Sequence, residues 1–539
     1  MPKVISTLAS ELLVSIFLYL DLQDLIRCKQ VIISHSFAGM IQITHMRFWQ
    51  ICKQFSQVID DTLIMQYKIA CETYGLIDGD PKSFSLVERS QRLHDMQKAW
   101  ASGTPPISFD LPRKWTDNLE QSITHQVYAF GCVVAICQVS GNRVCKRMHL
   151  TQIPSEFRNI PKKYWSLDNL EFDIPGFDID FSQNLLVTTR ASGYSDNQTL
   201  SIRILDATNA GPHPQAKVPL IKTSSMRARQ LQIAGDYLGI LSDSASEFLP
   251  EFRLYNWKTG ERLMSLFGMD YGSFALLDGP YVILPAKKRD QPVLSILPCK
   301  KGTRSYDNAI ATAVAYLKLP LRQAGNMIIY ADRARGPPHD AVVPFRQDPT
   351  RRWLRVDALG VEELDEDEDE DDLAYRARIG LYIPYGQILA LISQTQILKL
   401  ETVESSRHSE DGPPSGTCDA LVADCLGTRL SIFRRVWDDD ETHSRFAIFD
   451  FNPLAARKHA DPTQEASQQS DEIDAIESSL SSLAWYSKRD TYRKYDWMKT
   501  SDERMVLLLD DGFVNARYWL DQEDLERPED EFRTIVWSF

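Results

Sequence analysis

The chain has 539 residues, 43% of them hydrophobic and 25% charged, enough to bury large cores in two or more domains without disulfide or metal staples. Its formal charge of −14 argues against general nucleic-acid binding, although the run at 362–372 alone holds ten negative charges and leaves −4 for the rest. Nine cysteines without a Cys-x-x-Cys pair give no disulfide framework and no zinc signature, as in a reduced intracellular protein, and ten scattered histidines form no cluster.

Residues 12–20, LLVSIFLYL, are flanked by Glu11 and Asp21 and followed by no small-residue cleavage site, so they read as a helix rather than a secretory signal. No other apolar run approaches membrane length, and the sequon at Asn197 reads as incidental. The expectation is a soluble, non-secreted protein of the cytoplasm or nucleus. Leu12, Leu13, Ile16, Phe17 and Leu20 recur at helical spacing, with Ser6 or Thr7 as the cap. Asp21, with Asp24 three residues on, opens a second helix bearing Leu22, Leu25, Ile26 and Cys28. Two short helices this apolar need a partner surface, and the simplest one is the rest of this chain.

The order of residues in LASELLVSIFLYLDLQDLIRC, 8–28, resembles the F-box, a short helical module that docks onto the Skp adaptor of SCF ubiquitin ligases. The resemblance implies that Leu8, Leu12, Leu13, Ile16, Phe17, Leu20, Leu25 and Cys28 contact the adaptor, and that cullin is reached through it. Ala9 departs from the pattern, because the family usually has there the proline that starts the first helix.

The family phrase then breaks off. Joining Gln30 to Ile51 gives RCKQICKQFSQVI, which resumes it and supplies a third helix with Ile51, Phe55, Val58 and Ile59. Residues 31–50 are thus an insertion within a module of residues 1–60. Three explanations stay open: a structural extension that buries Phe37, Met40, Ile41, Phe48 and Trp49, a local duplication of Cys-Lys-Gln, or a retained intron. The last draws on Val31, all of whose codons begin GT, and Gln50, which CAG can encode.

Residues 61–103 predict a helical connector, with one stripe of Leu63, Tyr67, Ala70 and Tyr74 ahead of Gly75 and another of Leu86, Leu93, Met96 and Trp100. From 104 to 539 the texture becomes short strands broken by Gly, Pro and Asp. DFSQNLLVTTR with LSIRILDATN, GDYLGILSDS with FRLYNWKTGE, and DGPYVILPAK with VLSILP look like one unit used three times. Tyr237 and Tyr281 fall in equivalent places 44 residues apart, a period that fits a propeller blade. Further strands are expected at 127–137, 327–331, 379–383, 388–392, 429–433, 446–450 and 505–509, enough for six or seven blades. The fold class is therefore α+β and multidomain: a small all-α head and connector, then a large all-β body read as a degenerate β-propeller, with a pair of β-sandwiches as the alternative. The acidic run at 362–372 reads as a disordered loop, since its like charges oppose compaction.

No enzyme is expected. Ser195-Asp196-Asn197 and Lys258-Thr259-Gly260 match two elements of penicillin-recognising serine enzymes, but the Ser-x-x-Lys nucleophile occurs nowhere. Phosphate loop, dinucleotide fingerprint, nucleophile elbow and His-Glu-x-x-His are all missing, so no cofactor or metal is expected. FDFNPLAARK, SSLSSLAWYS ahead of DERMVLLLDDGFV, and QYKIACETYGLIDGD resemble the F-box proteins that mushroom-forming fungi carry in large numbers. The resemblance implies the substrate receptor of an SCF ubiquitin ligase with an unidentified protein substrate. A propeller scaffold outside ubiquitination, and a hydrolase on the β body, are the competing readings.

Overall fold

The structure is a computed structural model. It describes residues 9–20, 24–25, 28, 53–102 and 107–110, most of 124–395, and the strand backbones between 420 and 538. The insertion at 31–50, the acidic run at 362–372, Ser195-Asp196-Asn197 and the phrase SSLSSLAWYS at 478–487 lie outside the described residues, as do the candidate caps Ser6 and Thr7.

The head begins with helix α1 (Ser10–Phe17), and residues 53–61 are helical again. The connector holds α2 (Leu63–Thr73), the short strand β1 (Leu76–Asp78) and α3 (Leu86–Ser102). Gly75, between α2 and β1, takes φ 67, the left-handed value that ends helices and favours glycine. In α3 the expected Leu93, Met96 and Trp100 are buried. In α2 the buried residues are Met65, Tyr67, Cys71 and Thr73, because this helix packs on two sides: Met65 joins the core under α1, and Tyr67 and Cys71 join the core with α3.

After β2 (Ile107–Asp110), seven small sheets follow along the described chain. The first holds β3 (Thr124–Phe130), β4 (Val133–Val139), β5 (Val144–Gln152) and β6 (Lys163–Leu167), with β7 (Phe172–Asp173) also on β5. The second runs β8 (Phe177–Asp180), β9 (Leu185–Ser192), β10 (Thr199–Asp206), β11 (Leu220–Ser224). The third runs β12 (Ala228–Ala234), β13 (Tyr237–Asp243), β14 (Pro250–Asn256), β15 (Arg262–Phe267), and the fourth β16 (Ala275–Leu276), β17 (Tyr281–Lys288), β18 (Gln291–Pro298), then β20 below. Between β18 and β20 (Ala315–Lys318) lie β19 (Gly302–Ser305), which adds a parallel strand to the third sheet, and helix α4 (Tyr306–Ala311). The fifth has three strands, β21 (Ala324–Ala331), β23 (Trp353–Gly360) and β24 (Arg378–Pro384), and β22 (Phe345–Gln347) leaves it to pair with β1. Helix α5 (Tyr385–Thr395) follows. The sixth comprises β25 (Ala420–Leu426), β26 (Arg429–Asp438), β27 (Glu441–Asp450) and β28 (Arg493–Thr500). The seventh joins both ends of the body: β29 (Arg504–Leu509), β30 (Gly512–Arg517) and β31 (Ile535–Ser538), with β2 on β31 in the register Ile107↔Ser538 to Asp110↔Ile535.

Each sheet touches the next, through β7 and β9, β8 and β12, β12 and β16, β16 and β21, β23 and β25, and β25 and β29, and β29 of the seventh sheet touches β3 of the first. Apolar cores fill the spaces between successive sheets from the first to the fifth. Sheets covered on both faces need apolar residues at every position, which is why β4 reads VVAICQV and β18 QPVLSILP rather than alternating.

The first strands of the third, fourth and fifth sheets each leave one edge without a neighbour in their own sheet, and polar side chains of the preceding sheet close that edge. Asp178 accepts from Ile233 N–H at 2.8 Å. Gln230 accepts from Phe274 N–H at 3.1 Å and donates to Phe274 O at 2.7 Å, and Gln232 does the same at Leu276, at 2.7 and 3.3 Å. Ser273 Oγ accepts from Ile329 N–H at 2.8 Å. These bonds satisfy backbone groups that burial would otherwise leave unpaired.

The expected strand at 388–392 is instead part of α5. Ile388 and Ile392 are buried with Leu389 packed beside them, a spacing of one helical turn that a short apolar run conceals. The expected strand at 127–137 is a hairpin, β3 and β4, turning at Gly131 with φ 61.

Candidate interaction surface on the helical head

Helix α1 starts at Ala9, whose φ of −62 and ψ of 146 make it an N-cap with no side-chain hydrogen bond. The N–H groups of Leu12 and Leu13 reach Ala9 O at 3.0 and 3.2 Å. Leu13 and Phe17 point inward to Leu25, Val58, Ile59 and Met65, and the Phe17 ring meets Phe55 edge-on with centroids 5.1 Å apart. The opposite side stays open: Leu12 is 54% exposed, Ile16 49% and Tyr19, in the turn after the helix, 92%. Their spacing of four and three residues sets them along one stripe.

The residues named for adaptor contact therefore divide. Leu12 and Ile16 are exposed. Leu13, Phe17 and Leu25 are buried in the head's own core, because a helix with so broad an apolar face uses one side of it internally. Leu20 and Cys28 are half-buried against the same core, and Leu8 lies outside the described residues.

The connector is built on a segment that the sequence did not single out. The chain between β21 and β23 reaches the first and second sheets, which are not neighbours of the fifth. His339 N–H donates to Phe181 O at 2.9 Å, Asn159 Nδ2 reaches Val342 O at 3.5 Å, Lys163 Nζ faces Asp340 at 3.8 Å, and Val343 lies in the core between those sheets. The segment then crosses to the connector. Gly79 and Asp80 N–H donate to Pro344 O and Val343 O at 3.0 and 3.2 Å, β22 pairs with β1 from Leu76↔Gln347 to Asp78↔Phe345, and Asp348 N–H closes on Gly75 O at 2.9 Å. A Cβ on Gly79 would fall 2.0 Å from Val343 O, so only glycine fits that approach. Phe345 is wholly buried among Tyr67, Cys71, Leu76, Leu93, Met96 and Trp100.

A polar cluster caps this core. Tyr67 Oη lies 3.0 Å from Asp78 Oδ1 and 3.2 Å from Pro344 O, Arg89 pairs with the other oxygen of Asp78, and its guanidinium lies over the Tyr67 ring. Burial pushes the Tyr67 hydroxyl well above its ordinary value and the Cys71 thiol up to about 12, while the hydrogen bond that Arg89 donates to Asp78 raises Arg89. These groups keep fixed charge states at neutral pH and serve packing.

Lys258-Thr259-Gly260 forms the turn between β14 and β15: Gly260, at φ 76, donates to Asn256 O at 2.8 Å, and Lys258 Nζ pairs with Asp236 at 2.6 Å. Among the described residues no group of three side chains could hold a metal ion, and no helix is long and apolar enough to cross a membrane.

No family model and no curated protein matches the chain. Among solved structures it is similar to the β-propeller domain of the Trilobed protease from Pyrococcus furiosus, at 8% identity and TM-score 0.36 over 77% of this chain and 96% of that one. It is also similar to Kuenenia stuttgartiensis hydrazine synthase, at 10% and 0.39 over 76% and 96%. The WD40 domain of SCAP from fission yeast gives 6% and 0.28 over 81% and 98%. Scores this low carry no weight by themselves; the weight lies with the geometry of the sheets and helices.

Proposed function

We propose that the seven sheets close as a β-propeller and that the chain is a non-catalytic substrate receptor of an SCF-type ubiquitin ligase. Support for the ring comes from the seventh sheet, assembled from both ends of the body, and from its contact with the first. The docking role rests on one observation: the stripe of Leu12, Ile16 and Tyr19 stays exposed on a helix whose other side is already committed, within the segment that resembles the F-box. Through that stripe the head binds the Skp adaptor and, by way of it, cullin, in the cytoplasm or nucleus, while the body selects a protein substrate.

The test is co-purification of the Skp subunit with wild type and with the double variant Leu12→Ala, Ile16→Ala. Both residues are exposed, so folding should survive, whereas loss of two interface anchors at about 2 kcal/mol each would weaken binding by well over tenfold. Equal recovery of the adaptor with a folded variant would sink the docking role. The burial of Leu13, Phe17 and Leu25 favours the second reading, a scaffold whose head packs internally, and that reading gains if wild type recovers no adaptor.

A further inference from the structure

We propose that residues 336–348 form a strap that latches the helical connector to the β body, so that connector and strap open and close as one unit. The strap belongs in sequence to the fifth sheet, yet it lies against other elements. Its first half rests on the first and second sheets through His339, Asp340, Val342 and Val343, and its second half supplies the connector with a strand partner and with Phe345. Without Phe345 the core between α2 and α3 lacks its wholly buried centre, and without β22 the strand β1 has no partner in its sheet.

The latch is double. The connector also holds the body directly, where Arg92 Nη1 donates to Glu156 O at 2.6 Å and Phe157 packs on the connector core. Glu156 and Phe157 lie between β5 and β6, next to Asn159, which touches the strap. Three segments, 79–80, 155–163 and 336–348, thus meet at one place, and the strap touches both of the others. With the seven sheets closed as proposed above, the first and second sheets stand across from the fifth, and the strap spans from one to the other on its way to the connector. The inference does not depend on what α1 binds: it concerns how the head is carried.

Hydrogen–deuterium exchange of the full chain tests this with Phe345→Ala. The latch requires amides of α2, α3 and β22 to exchange faster together, by roughly a hundredfold or more, while β13 and β14 of the third sheet keep their protection. Faster exchange confined to 336–348, with α2 and α3 still protected, would overturn the latch, as would no change anywhere. Should Phe345→Ala unfold the body, Tyr67→Phe decides instead. That variant removes only the hydroxyl shared by Asp78 and Pro344, and it must raise exchange in α2 and β22 by a common factor of a few-fold to roughly tenfold. Separate responses in those two elements would refute the shared opening.

Discussion

Replacing Gln232 by Met tests the bonding between successive sheets at a single point. The side chain is 8% exposed, and its amide both accepts from Leu276 N–H and donates to Leu276 O, so its orientation is fixed by the two bonds. Methionine matches the volume and opens no cavity, but it can do neither job. Leu276 would be left with a buried donor and a buried acceptor unpaired, at about 1–3 kcal/mol for each group and about 2–6 kcal/mol together. A chain of this size need not unfold in two states, so the reading belongs to amide exchange at Leu276 and along β16 and β17, which should accelerate by roughly thirtyfold to more than ten-thousandfold. Gln232→Glu adds a sign. A carboxylate accepts from Leu276 N–H but faces Leu276 O without a proton, whereas the protonated acid makes both bonds. Burial would raise its pKa above the unfolded value of about 4.3. Its contribution is therefore fully present below that value and is lost as pH rises through the folded pKa. The variant should approach wild-type protection near pH 4 and fall short at pH 7. Wild-type exchange at Leu276 in Gln232→Met, or a Gln232→Glu variant with no pH dependence, would refute the clasp.

Ala9 already has a φ near the proline value, so Ala9→Pro should raise the thermal stability of the head by about 0.4–1 kcal/mol, read as a shift in its unfolding midpoint. Leu13→Ala should cost about 2–5 kcal/mol, against no more than about 0.5 kcal/mol for Leu12→Ala, measured by denaturation of the head; equal costs would contradict the division of α1 into two faces. The Cys71 thiol is raised by burial from 9.0 to about 12, so its contribution is intact below about pH 9 and is lost as pH rises toward 12. Exchange in α2 should accelerate across that window, and less steeply in Cys71→Ala. Deleting 31–50, which removes Met46, Phe48 and Trp49, should yield a more soluble protein that binds the Skp subunit at least as tightly, and transcript reads should join codons 30 and 51. Transcripts that all retain those codons, with a deletion variant weaker in both respects, would make the stretch a working part of the protein.

The repeating body was legible because its strands are short apolar runs set off by Gly, Pro and Asp. Leu185, Tyr237 and Tyr281 each open the second strand of their sheet, as the three repeated phrases imply. The helix at α5 was not, because Ile388, Leu389 and Ile392 fit a buried strand as well as a helix when only a few residues are read. The two faces of α1 were also hidden. Leu12 and Leu13 are the same residue type one position apart, and only the placement of Leu25 and Ile59 decides which is covered. The strap left no trace in pattern, since β1 and β22 are three residues each and pair across some 270 residues of chain. Neither periodicity nor turn chemistry reports a contact of that kind.

The polar residues between the sheets explain how repeats without a shared signature can still be joined in the same way. Asp178, Gln230, Gln232 and Ser273 interrupt otherwise apolar stretches, and in sequence each looks like a solvent-facing position. Asp178, Gln232 and Ser273 are buried and Gln230 is half-buried, and each meets a backbone group on the first strand of the following sheet or beside it. The requirement is geometric: an edge strand packed against another sheet must find partners outside its own ladder. A carboxylate, an amide or a hydroxyl each meets it, so the residue type varies from one junction to the next while the place of the bond does not. A search for a repeated dipeptide misses such a device, because what recurs is an open backbone edge and not a side chain.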